Sequence, residues 1–133
     1  ARLTSVFLLL SVLAYLGLGV RFLLWPESGA ANLGLAPLDP SGFNSIRSLP
    51  GGFQGSIGVL LVLLLRRSDR RSLRDGLYLV LVVSCGFLCG RLLSLLSDGW
   101  PNGFVWFATA LEVAGAIGAW LLLATGANRS VDR

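Results

Sequence analysis

Apolar residues gather into four blocks along the chain, about 3–25, 47–65, 76–97 and 103–124, with short polar stretches between them. Each block holds about 19 to 23 residues, enough for a helix rising 1.5 Å per residue to cross a hydrocarbon layer of about 30 Å. The pattern predicts an all-α fold: one integral membrane domain over residues 1–133, built as a four-helix bundle. After the first block, "WPESGAANLGL" predicts a short interfacial helix, with Pro26 near its first turn and Gly34 just past its end. "APLDPSGFN" then predicts two proline-led turns. In the second block Pro50 is expected in the first helical turn, where a missing N–H costs little.

Composition sharpens this picture. Hydrophobic residues make up 54% of the chain and mean hydropathy is +0.74, too apolar for a soluble core with a polar skin. The first block, opening on Arg2, has some look of a signal peptide. It is too long for an ordinary h-region, and "AYLGLGVRF" is a poor cleavage site, so we read it as a true span. Ala1 is what removal of a starting methionine would leave.

Charge gives an orientation. All eleven basic residues are arginine, which points to a GC-rich bacterial genome. Five of them, Arg66, Arg67, Arg70, Arg71 and Arg74, crowd the segment between the second and third blocks. The positive-inside rule keeps such a loop in the cytoplasm, and with four spans both termini join it, in the cytoplasmic (inner) membrane. The opposite connections, 26–46 and 98–102, hold no arginine and three acids, Glu27, Asp39 and Asp98. Trp25, Trp100 and Trp106 fit one interface and Trp120 the other. The basic loop reads as a topology signal, and no nucleic-acid partner is expected.

Within the spans, small residues recur at helical spacing. Gly51, Gly55 and Gly58 do so in the second, Gly86 and Gly90 in the third, and Ala110, Ala114 and Gly118 in the fourth. Such faces let helices approach closely in lipid, where apolar contact alone gains little. Polar positions follow the same spacing: Ala14, Gly17 and Arg21 in the first span, and Asn44, Arg47, Gly51, Gln54, Gly55 and Gly58 in the second. In the third they are Ser84, Arg91, Ser94 and Asp98. Arg91 and Glu112 fall at similar depth on neighbouring antiparallel helices. An unpaired charge there costs about 2.5–3.5 kcal/mol on insertion scales, so an Arg91–Glu112 ion pair is expected. Two readings of the polar residues stay open. Arg21, Arg47, Arg91, Gln54, Asn44 and Glu112 either form a structural network or converge on an anionic or lipidic ligand.

Several chemistries lack their parts. There is no histidine or lysine to activate a serine, so no catalytic group is assigned. Cys85 and Cys89 share one helix face, are poorly placed for a disulfide and lack histidine or methionine co-ligands. They are expected to be small buried packing residues, with no metal site and no cofactor.

The stretch "LGLAPLDPSGFNSIRSLPGGFQGSIG" resembles the signature of a bacterial membrane family known as domain of unknown function 4345. The resemblance covers nearly all of residues 3–125 and is most specific at Asn44, Arg47, Gly51, Gly52 and Gly58. It implies four spans and an orientation, and assigns no reaction. A looser similarity to the small four-span DoxX-like proteins implies membrane partners, at the level of fold alone. The leading expectation is a non-enzymatic membrane protein, an accessory subunit or homo-oligomer acting through glycine-rich faces. The alternative is a binder or carrier of a small anionic or lipidic molecule.

Overall fold

The computed structural model describes residues 2–128. Helix α1 covers Arg2–Leu24, and two short helices follow it, α2 at Pro26–Asn32 and α3 at Pro40–Ile46. Helix α3 continues without a break through a wide π turn, Arg47–Phe53, into α4 at Gln54–Arg67. Helices α5 (Arg70–Ser97) and α6 (Gly103–Asn128) follow, and no strand occurs among the described residues. Four helical stretches are long and apolar enough to cross a membrane: α1, the combined α3–α4 helix, α5 and α6.

Local chemistry accounts for the helix boundaries, including those that differ from expectation. Pro26 opens α2 and Gly34 follows its end with φ +74°, as the sequence predicts. The second of the two expected proline-led turns is a helix start instead. Asp39 accepts the Gly42 N–H at 2.8 Å and Pro40 occupies the first turn, so the helix starts seven residues before position 47. Pro50 is consequently inside a helix. Its missing N–H and its ring are accommodated by the π turn, which opens the backbone by one residue per turn.

The expected basic loop shrinks to two residues. Ser68 ends α4 in a left-handed conformation (φ 54°) with its hydroxyl on the Leu65 carbonyl. Asp69 then caps α5, accepting the Ser72 N–H at 2.9 Å and the Ser72 hydroxyl at 2.5 Å. Hence Arg66 and Arg67 close one helix while Arg70, Arg71 and Arg74 open the next. Arg70 also donates to the Gly126 carbonyl at 3.1 Å, bringing the α6 end to the same basic end of the bundle. At the other end, the Asn102 side chain donates to the Asn32 carbonyl at 3.0 Å, joining the two loops there.

The helices pack as two pairs, α1 with α4 and α5 with α6, joined by α4–α5 and α1–α5 contacts. The core lies toward the basic end: Leu8 and Val12 of α1, Ile57 and Leu61 of α4, Leu73, Leu77 and Val80 of α5, and Ala119 of α6. A smaller cluster, Phe22, Ala30 and Ile46, seats the short helices on the end of α1. The buried positions of α5 stop at Ser84, and every residue from Cys85 to Ser97 is at least partly exposed. That break places different faces of the bundle at the disposal of different contacts.

Candidate functional site

Helices α1 and α4 approach to backbone contact, and glycines make it possible. A Cβ added to Gly19 would lie 2.6 Å from the Gly55 nitrogen and 2.7 Å from its Cα, both backbone atoms. One at Gly51 would press on Leu23 at 3.1 Å, and one at Gly58 on Leu16 at 2.7 Å. One residue of the π turn and two of α4 therefore meet α1 in strict antiparallel register: Gly51 with Leu23, Gly55 with Gly19, Gly58 with Leu16. The glycine face expected on the second span is used inside the chain. Its main counterpart, Gly19, was not among the expected packing residues. It continues the buried series Leu8, Ser11, Val12, Gly19 and Phe22 of α1, a helical spacing that a wholly apolar segment does not advertise.

The small-residue face expected on α1 points the other way. Ala14, Gly17 and Arg21 are all exposed, and the Arg21 side chain makes no hydrogen bond or ion pair among the described residues, while its carbonyl accepts the Trp25 N–H. The reason is that Gly19, with no side chain, permits the approach and so turns the opposite side of α1 outward.

On α5 and α6 the picture reverses. Added Cβ atoms at Gly86 and Gly90 would meet nothing within 4 Å, and both residues are exposed. Cys85 and Cys89 are exposed free thiols rather than the buried packing residues expected. Among the described residues no helix covers that side of α5, whose buried series has ended at Ser84. Gly118 of α6 does pack, against the Phe7 ring at 2.5 Å from an added Cβ. Ala110 and Ala114, expected in the same row, are exposed.

Glu112 and Arg91 form the expected pair. Arg91 donates through Nε to Oε2 at 2.5 Å and through Nη2 to Oε1 at 2.7 Å, a two-pronged contact that matches the planar guanidinium to the carboxylate. The side chains are 24% and 14% exposed. This is the one ion pair among the described residues, and it lies in the half of the bundle away from the basic end, six residues before the end of α5 and nine after the start of α6. One turn or two deeper, Ser84 is buried against Gly115, where an added Cβ would sit 2.8 Å from the Ser84 hydroxyl.

The remaining polar residues do not join that pair. Arg47 donates through Nη1 to the Leu23 carbonyl of α1, and no hydrogen bond or ion pair links it to Arg91 or Glu112. Asn44 is exposed, with its carbonyl accepting the Ser48 hydroxyl. The π turn explains both placements. One extra residue rotates everything upstream by about 100° relative to a regular helix, so Asn44 and Arg47 leave the Gly51–Gly58 face. The backbone carbonyl of Arg47 lies over Gly52, 3.6 Å from where an added Cβ would sit. Gln54 is half-buried and its Oε1 has no hydrogen-bond partner.

Among the described residues no group of three or more histidine, cysteine, aspartate or glutamate side chains could hold a metal ion. Trp100 and Trp106 touch at 5.6 Å between ring centres beside the α5–α6 turn, and Trp25 is exposed at the end of α1. Aromatic side chains therefore sit at that end of three of the four helices, as membrane interfaces favour.

No curated protein and no solved structure is similar enough to match this chain. A family model does match, over residues 3–123, which include all four apolar helices, the glycine contact and the ion pair. The chain belongs to the family described as Domain of unknown function (DUF4345).

Proposed function

We propose that the protein is a non-catalytic membrane component that works by contact with a second transmembrane chain, either a copy of itself or an accessory partner. The observation that carries this reading is the open state of Gly86 and Gly90. Glycine costs a helix about 1 kcal/mol relative to alanine, and on α4 that loss is offset by close packing. On α5 none of the described residues offsets it, and a neighbouring helix docked against Gly86 and Gly90 would do so. The partly exposed Arg91–Glu112 pair, one residue from Gly90, adds a polar feature by which a partner could be selected.

The reading places both termini and the arginine-rich turn in the cytoplasm of a bacterial inner membrane, on the arginine asymmetry. Extraction in mild detergent followed by native mass spectrometry tests the contact. The wild type is expected to carry a second chain that the Gly86→Leu, Gly90→Leu double variant loses. A monomeric wild type would overturn the reading.

A second reading keeps the polar residues as a binding site for a small anionic or lipidic molecule. Gln54 favours it, since a buried carbonyl oxygen without a donor is an acceptor awaiting one. With Arg91 and Glu112 satisfying each other, Arg47 and Gln54 are the groups left to such a ligand.

A further inference from the structure

On the outside of the α1–α4 pair lies an open groove of about 590 Å³, almost wholly apolar. Leu16, Val20 and Leu23 of α1 form one wall, Gly52 and Gly55 form the floor, and the α4 side runs down to Leu63. The floor glycines differ from Gly51 and Gly58. A Cβ on Gly55 would meet nothing within 4 Å, and one on Gly52 would meet only the Arg47 carbonyl. Their missing side chains are what keep the groove open.

Two features identify the occupant. From Gly52 to Leu63 the helix rises roughly 16 Å, about half of a ~30 Å hydrocarbon layer and so the depth of one leaflet. At the Gly52 end of the groove the Arg47 guanidinium donates to the carbonyl of Leu23, a residue of the α1 wall. A guanidinium carries five N–H donors. Arg47 is exposed and has no acidic partner among the described residues, so its remaining donors are free for an anion at the membrane interface.

We propose that this groove seats one acyl chain of an anionic phospholipid whose phosphate is held by Arg47. The apolar channel takes the chain, its length matches one leaflet, and the arginine supplies the charge that distinguishes an anionic headgroup from a zwitterionic one. The site is on the helix pair away from the Gly86–Gly90 face, and it shares only Arg47 with the polar-cluster reading.

The test uses the full chain reconstituted into bilayers of equal phosphatidylglycerol and phosphatidylcholine, extracted mildly and weighed by native mass spectrometry. The wild type is expected to retain one lipid per chain, with phosphatidylglycerol favoured about fivefold, the effect of one arginine at an anionic surface. Arg47→Gln should equalise the two lipids. Gly55→Leu, whose side chain projects into the groove and not into α1, should release both. Val59→Trp fills the groove from an exposed position and should do the same, should Gly55→Leu fold poorly. Gln54→Leu, which probes the polar cluster, should leave the lipid in place. Lipid retained by both groove-filling variants, an unchanged lipid ratio in Arg47→Gln, or a second protein chain released in place of lipid would each overturn the proposal.

Discussion

Gly51, Gly55 and Gly58 of the π turn and α4 and Gly86 and Gly90 of α5 are written with similar spacing, and the chain treats them differently. The first set meets α1 so closely that backbone touches backbone at Gly19 and Gly55. The second faces open space on a helix half whose residues are all at least partly exposed. The difference teaches that a small-residue row in a membrane helix marks a surface made for close approach and does not name what approaches. Which row is filled internally follows from neighbouring features. A π turn re-aims the start of α4, and the buried series of α5 ends at Ser84.

Overpacking the filled row should have the largest effect. Gly19→Val drives side-chain atoms into the Gly55 backbone, which cannot swing aside, and should destabilise the bundle by about 3 kcal/mol. Equilibrium unfolding in mixed micelles would read this, and a variant as stable as wild type would break the α1–α4 account. Next comes the ion pair. Glu112→Leu strands Arg91 within the span and should cost about 2–3 kcal/mol. The Arg91→Leu, Glu112→Leu double variant should recover most of that loss, and a double variant as unstable as the single would show that the charges act independently.

The open row should respond with the opposite sign from Gly19. Gly90→Leu removes a poor helix former from an uncrowded site, so the isolated monomer should be unchanged or gain up to about 1 kcal/mol. A large loss of monomer stability there would mean that Gly90 is packed within the chain. The smallest effect is at the basic end. Bonds from the Ser72 hydroxyl and backbone hold the Asp69 carboxyl below its ordinary range. A depressed folded value means that the cap's contribution is present above the unfolded carboxylate value and is lost as pH falls through the folded one. The protection of amides 70–74 relative to their intrinsic exchange rates should therefore fall at acid pH in the wild type. In Asp69→Asn that acid-dependent step should be absent.

Much of the fold was legible because membrane helices are announced by block length, and α2 by its proline and glycine. The Arg91–Glu112 pair was legible for a similar reason, since two opposite charges at one depth on adjoining helices have few other places to go. Gly19 was hidden because an apolar face shows no contrast inside an apolar helix. The π turn was hidden because Pro50 reads equally well as a first-turn residue. Its consequence, the rotation of Asn44 and Arg47 away from Gly51, could not be seen without it. Outward and inward faces of α5 look alike in sequence, which is why Cys85 and Cys89 were expected inside.

Those two cysteines offer the most direct test of the contrast between the rows. They are the only cysteines in the chain, and both lie exposed beside Gly86 and Gly90. A membrane-permeant oxidant applied to native membranes should link Cys85 or Cys89 to a second chain in the wild type. Gly90→Leu should strongly suppress that product. If the thiols stay unlinked in the wild type, or link equally well in Gly90→Leu, the open glycine row is not a contact surface.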